Sequence, residues 1–105
     1  MSTVDEFGLN ISTTEKIKNV FSKHSGVDRA IIYGSRAKKT YKPGSDIDIT
    51  LEGSQLTLSD QLKIENQIED LLLPYKVDLS IFHTISNKEL IDHIHRVGIV
   101  FYQRK

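Results

Sequence analysis

The sequence contains no cysteine, no long apolar run and no excess of charge of either sign. Without cysteine among its 105 residues, disulfide bonds and thiolate metal sites are excluded. No run of about 18 apolar residues is present for a membrane-spanning helix, and residues 1–10 lack the basic and apolar segments of a secretion signal. We therefore expect a soluble, cytoplasmic protein that does not associate with membranes.

The charge balance argues against one broad class of function. Fourteen basic and fourteen acidic residues cancel, whereas domains that bind nucleic acids in general are usually basic. At 38% hydrophobic residues the chain predicts one small globular domain with a modest core. Ser12 and Glu15 have capping-box spacing, so we expect a flexible lead-in over residues 1–11 and the domain over residues 12–105.

Apolar patterns of helical and strand period alternate along this domain. They predict a helix over 12–24, a strand over 29–33, a short helix after Ser35, a strand over 46–52, a helix from Thr57 or Ser59 to before Pro74, a strand over 76–81, a helix opened by a Ser86–Glu89 capping box, and a last strand over 99–102. This alternation is typical of an α/β fold. We predict a mixed β-sheet with helices packed on one face and the polar face left for a site.

A Gly-Ser pair follows the first predicted strand. Gly34 and Ser35 stand between the apolar run ending at Tyr33 and the helix-forming residues that begin at Arg36. Free backbone N–H groups at such a turn can bind phosphate oxygens, and glycine lets the backbone come close. Considered alone, the pair is more simply explained as an ordinary strand-to-helix turn.

Three aspartates mark the polar side of two predicted strands. Asp46 and Asp48 share one strand face by alternation, and Asp78 lies on the next strand. A solvated strand face is the simpler interpretation of the first pair, and a calcium loop is excluded because Leu51 and Thr57 replace its glycine and glutamate. If the strands are neighbours, three like charges gather on one face and favour a bound Mg²⁺ or Mn²⁺.

A histidine site is a weaker possibility. His83, His93 and His95 lie close in sequence. Residues two apart on a helix point to different sides, so His93 and His95 would not chelate one ion. We therefore do not expect a zinc site.

The combined pattern resembles a known family. A Gly-Ser pair at 34–35, ten intervening residues, Asp46-Ile47-Asp48 and a third aspartate on a later strand are similar to the signature of the DNA polymerase β-like nucleotidyltransferases. Over residues 13–102 the chain resembles the smallest members, the minimal nucleotidyltransferase (MNT) antitoxins, which pair with helical HEPN toxins. The combined motif is far more specific than any of its parts.

This resemblance implies roles for individual residues. It makes Gly34, Ser35, Arg36 and Ser45 nucleotide-binding residues, and Asp46, Asp48 and Asp78 catalytic ligands of two Mg²⁺ ions. It also implies ATP as the substrate. The chain departs from many relatives at Lys39, where they have a second glycine.

Three functions are compatible with this assignment. The resemblance implies transfer of AMP to a hydroxyl, of tyrosine in our prediction, on a HEPN toxin with which this chain would form a hetero-oligomer. An antitoxin could instead mask its partner without catalysis. A small-molecule transferase of the antibiotic-modifying kind is disfavoured, because no segment is long enough for a separate substrate domain. Alanine at Asp46 and Asp48 would abolish modification and leave masking intact.

Overall fold

Helices and strands alternate along residues 4–105, the part of the chain that this computed structural model describes. In chain order the elements are α1 Ile11–Ser22, β1 Arg29–Tyr33, α2 Gly34–Lys38, β2 Ile47–Glu52, α3 Leu58–Glu69, β3 Val77–Ile81, α4 Lys88–Val97 and β4 Ile99–Gln103, with one turn of 3-10 helix at Phe82–Thr84. Within residues 4–105 no helix is both long and apolar enough to cross a lipid bilayer.

The four strands form one mixed sheet in the order β3-β2-β1-β4. β1 runs antiparallel to both β2 and β4, whereas β2 and β3 are parallel. A parallel pair needs a long crossover, and α3 lies in that connection. The predicted mixed sheet is confirmed, and the two strands that carry Asp48 and Asp78 are neighbours in it.

The main hydrophobic core lies on one face of this sheet. Ile47, Ile49 and Leu51 alternate along β2 and are fully buried. Apolar residues of the two helices that cover them include Ile17 and Phe21 from α1 and Ile64 from α3. Burying each such side chain stabilises the fold by roughly 1.5–3 kcal/mol. A slip of β2 by one residue would turn Asp48 and Glu52 into this core, so the register of the strand is strongly specified.

A second, smaller cluster covers part of the opposite face, which corrects the predicted one-sided arrangement. Ile31 and Tyr33 of β1 pack against Ile94 of α4. Tyr33 is paired directly with Asp48 on β2, so α4 lies on the same side of the sheet as the aspartate. The physical reason is that β1 has large apolar residues on both faces, and its second face needs a cover.

Residues 4–10 differ from the predicted flexible lead-in. Phe7 and Leu9 are buried in the main core, and the Asp5 carboxylate accepts hydrogen bonds from both of their backbone N–H groups. The helix that follows begins earlier than predicted, at Ile11, with Asn10 instead of Ser12 as its N-cap. Because Phe7 and Leu9 are large and apolar, their burial in the main core holds this segment against the domain. Residues 1–3 lie outside the described part of the chain.

Two other helix boundaries differ from the predicted ones. The Thr57–Asp60 capping box opens α3 as expected for a start near Thr57, but this helix ends at Glu69 and does not continue to Pro74. α4 is capped by the Asn87 side chain, which accepts from the Leu90 N–H, in place of the predicted Ser86 capping box.

Candidate active site

The Gly-Ser turn begins where β1 ends. Gly34 has a φ of +74°, a left-handed conformation that L side chains rarely adopt. A Cβ atom at this position would also collide with the Asp48 carboxylate. Glycine is therefore required here both by its backbone conformation and by the close approach of an acidic group. Ser35 follows it as the second residue of α2 and is partly exposed.

Acidic side chains and a tyrosine form a row across three strands. Asp48 on β2 is the register partner of Tyr33 on β1 and of Asp78 on β3. Asp46 immediately precedes β2 and is exposed, as is Asp78. The structure therefore places Asp48 and Asp78 side by side on neighbouring strands, with Asp46 just before β2 and the Asp48 carboxylate against the Gly-Ser turn.

The electrostatics of this row disfavour further negative charge. Burial raises the pKa of Asp48, and the carboxylates of Asp78 and Asp46 raise it further, while His93 acts in the opposite direction. Burial is also the main cause of the raised pKa of the Tyr33 hydroxyl, to which Asp48 and Asp78 contribute. A cation bound between the carboxylates would relieve this repulsion.

The oxygen atoms of these carboxylates are suitable ligands for a divalent cation, but the side chains do not converge on one point. Asp48 and Asp78 offer hard oxygen ligands on adjacent strands, which is the type that Mg²⁺ and Mn²⁺ prefer. Among residues 4–105, no three histidine, aspartate or glutamate side chains converge closely enough to hold one ion. Asp46 is exposed. Metal binding by these three aspartates thus stays a prediction.

His93 joins the site although the sequence did not indicate it. Its Nε2 atom accepts a hydrogen bond of 3.1 Å from the Gly34 N–H, and its ring meets the Tyr33 ring edge-on at 6.0 Å. In the sequence this histidine is notable only as a candidate zinc ligand. Its contact with the turn depends on the position of α4 over β1, which no local pattern revealed.

Arg36 does not have the predicted phosphate-binding role. Its side chain is only 1% exposed. Nη1 donates to the Phe7 carbonyl at 2.9 Å, and Nε and Nη2 donate to the Ser45 carbonyl at 3.2 and 2.9 Å. The guanidinium also lies 5.1 Å from the Tyr41 ring centre and 4.9 Å from that of Tyr75. With its donors directed at carbonyl groups, Arg36 joins three loops.

The remaining predicted nucleotide-binding residue, Ser45, stabilises a turn. Its hydroxyl accepts a hydrogen bond of 2.8 Å from the Lys42 N–H, and its carbonyl is the one bound by Arg36. The nearby lysines 38, 39 and 42 are exposed. Lys39 has a φ of 64° and caps α2, so a residue with a side chain adopts the left-handed conformation that favours glycine.

Comparisons with known proteins identify the family of this chain. A family model described as "Polymerase beta, Nucleotidyltransferase" matches residues 15–105. The chain is 38% identical over 79 residues to the Methanocaldococcus jannaschii protein named "Putative protein adenylyltransferase MJ0435", a match that spans 73% of this chain and 83% of that protein.

Solved structures share the fold. A chain of a toxin–antitoxin complex with AMP-PNP matches with a TM-score of 0.71 and 19% identity, covering 88% of this chain and 74% of the other. A complex of tri-AMPylated Shewanella oneidensis HEPN toxin with MNT antitoxin gives a TM-score of 0.66 and 17% identity, with 90% and 72% covered. Since the family model spans most of its length, the chain belongs to the polymerase β nucleotidyltransferase family of enzymes.

Proposed function

We propose that this protein transfers AMP from ATP to a tyrosine hydroxyl of a HEPN-type toxin, with Mg²⁺ or Mn²⁺, and so acts as its antitoxin. The observation that carries the proposal is the row formed by Asp48 and Asp78 beside the Gly34–Ser35 turn. A phosphate-binding turn next to paired carboxylates is the arrangement that nucleotidyl transfer requires. The protein would act in the cytoplasm, in a complex with its partner.

Each part of the site has a chemical task in this reaction. Ser35 binds the terminal phosphates through its backbone N–H group and hydroxyl, and Gly34, whose own N–H donates to His93, lets the backbone come close. Asp46, Asp48 and Asp78 would hold two divalent cations, and these would supply positive charge beside the entering and leaving oxygens. Asp78 lies on the strand farther from the turn, so it orients the attacking hydroxyl. Positioning and electrostatic stabilisation supply most of the catalysis in phosphoryl transfer.

The relatives support the nature of the substrates. The Methanocaldococcus jannaschii relative is named for protein adenylylation. Solved complexes that share the fold hold an ATP analogue in one case and an AMPylated HEPN toxin in another. ATP and a HEPN-type protein are therefore the substrates that we assign to this chain.

Masking of the partner without catalysis is the second candidate. It is favoured by the observation that, within residues 4–105, no three acidic or histidine side chains converge on one point. A masking protein would need no such convergence. It would still bind its partner after loss of the aspartates.

The test is transfer of label from α-labelled ATP to a HEPN-type partner protein, with γ-labelled ATP as the control. AMP transfer places label on the partner from the α position only. The Asp46→Asn/Asp48→Asn double variant should lower the rate by at least about 100-fold, because the groups that stabilise transition-state charge are removed. Equal labelling by the double variant would contradict the proposal, and tight partner binding without any label would favour masking.

A further inference from the structure

A groove lies along the outer edge of β3, next to the proposed catalytic carboxylate. We propose that the hydroxyl-bearing segment of the acceptor protein binds in this groove, through an apolar side chain and a basic flank. The inference rests on the proposed function and names where its protein substrate is held.

The chemistry of the transfer fixes the direction from which the acceptor approaches. In-line displacement at phosphorus places the attacking and leaving oxygens on opposite sides. The Gly34 turn, which would hold the leaving pyrophosphate, lies at the end of β1, whereas Asp78 lies two strands away on β3. β3 is the edge strand of the sheet, so the acceptor reaches the site across this edge.

The edge formed by β3 is concave and partly apolar. A groove with a volume of about 490 Å³ runs from Asp78 to the end of α3 and the loop after it. Leu73 and Tyr75 contribute apolar lining, and Leu72 is 88% exposed beside them. Leu72 also has a positive φ of 54°, so the loop presents a large apolar side chain outward from an unusual backbone conformation. Leu72, Leu73 and Tyr75 line this groove together, and grouped apolar surface of this kind marks a contact site.

The charged residues that line the groove are mainly acidic. Glu65, Glu69 and Asp78 line the groove, and Lys76 is the basic residue among its lining. Although the chain as a whole is neutral, this groove is acidic and is complementary to a segment with lysine or arginine beside its hydroxyl residue. ATP, which carries several negative charges, is not favoured in the same place.

The backbone edge itself is already partly occupied. The Gln61 side chain donates a hydrogen bond of 3.1 Å to the Leu79 carbonyl of β3. Addition of a complete extra strand would need this carbonyl. We therefore assign recognition to the side chains of the groove and not to strand addition.

The experiment compares two groove variants with two matched controls. Leu72→Glu and Glu69→Lys change the exposed leucine and one acidic residue of the groove. Leu58→Glu alters another exposed leucine, at the opposite end of α3, and Glu15→Lys reverses an exposed charge on α1. For each we measure label transfer from α-labelled ATP to the HEPN-type protein over a range of its concentration, and ATP binding separately.

We expect each groove variant to raise the KM for the acceptor protein at least about 10-fold. Leu72→Glu removes an apolar side chain that the bound acceptor would cover, and Glu69→Lys removes a charge complementary to the acceptor. ATP binding and the behaviour of both controls should match the wild type. Unchanged acceptor KM in the groove variants would overturn the inference, as would an equal loss in the controls. Weaker ATP binding in Leu72→Glu would make the groove part of the nucleotide site. Absence of label with the wild-type protein would instead contradict the proposed function, and the inference with it.

Discussion

His93 holds the first N–H group of the turn on which phosphate binding depends. Because its Nε2 atom accepts from Gly34, this histidine fixes the direction of the adjacent peptide and leaves the Ser35 group for a ligand. The Tyr33 ring beside it limits its motion. His93 thus acts as a positioning residue, connected to the nucleotide through the turn.

Replacement of His93 tests this role. His93→Leu removes the acceptor, and loss of one hydrogen bond of about 1 kcal/mol should weaken ATP binding roughly 5-fold. His93→Gln retains an acceptor and should restore most of the affinity. His95→Leu, on the exposed side of α4, is the control. Equal ATP affinity in the leucine and glutamine variants, measured by equilibrium binding, would contradict the positioning role.

Asp48 should make the metal-free protein less stable at neutral pH. Burial and the neighbouring carboxylates raise its pKa above the ordinary value of 3.8, so the folded state holds this proton more tightly than the unfolded state does. Stability from this group therefore rises as the pH falls through the raised pKa, and levels off below 3.8.

Asp48→Asn should accordingly raise the melting temperature of the metal-free protein at pH 7 by roughly 2 °C, and this gain should vanish near pH 4. Asp28→Asn, an exposed aspartate outside the site, should show no such dependence. Thermal unfolding in the presence of a chelator measures both. A loss of stability at pH 7 in the Asp48 variant would show that the site is not under repulsion.

Lys39 gives the short helix α2 a strained end. A left-handed residue after a helix favours glycine, and Lys39 occupies that conformation with a side chain. Lys39→Gly should therefore stabilise the protein by about 0.5–1 kcal/mol. Lys38→Gly, one residue earlier and within the helix, should destabilise it by a similar amount. Urea unfolding of the two variants gives the comparison; destabilisation by both would contradict the account of this helix end.

Arg36 connects elements that are far apart in the chain. Its donors reach the carbonyls of Phe7 and Ser45, and its guanidinium lies between the rings of Tyr41 and Tyr75. The N-terminal segment, the loop before β2 and the loop before β3 therefore meet at one side chain. A change here should act on folding before it acts on the nucleotide.

We expect Arg36→Leu to lower the free energy of unfolding by about 3 kcal/mol, because buried carbonyl groups lose their donors. Arg36→Lys should restore little, since a single ammonium cannot reproduce the planar fork. The exposed Lys42→Leu is the matched control and should change stability by less than about 0.5 kcal/mol. A stable Arg36→Leu protein that had lost ATP binding would restore the phosphate-binding role predicted from the sequence.

Local patterns predicted the features that depend on neighbouring residues. The alternation in β2 placed Ile47 and Ile49 in the core, and the aspartates of β2 and β3 came together because parallel pairing preserves that alternation. His93 and Arg36 could not be assigned in this way. Their roles depend on which helix lies over β1 and which carbonyl groups surround a buried guanidinium, and both are properties of the tertiary structure.

The two faces of the sheet have different tasks. α1 and α3 cover one face and provide the core, whereas α4 covers β1 on the other face and leaves Asp78 exposed on β3. The open part of this face holds the carboxylates, with the phosphate turn on one side and the acidic groove on the other. A protein acceptor can therefore approach without rearrangement of the core.

The most direct test of the account is the intact mass of the HEPN-type partner, purified from cells that express it with this protein or with its Asp46→Asn/Asp48→Asn variant. We predict that the partner gains mass in whole units of AMP with the wild-type protein, and that a digest places each unit on tyrosine. With the variant the partner should have its unmodified mass. An unmodified partner in both cases, bound equally tightly by the two proteins, would contradict catalysis and leave masking as the function.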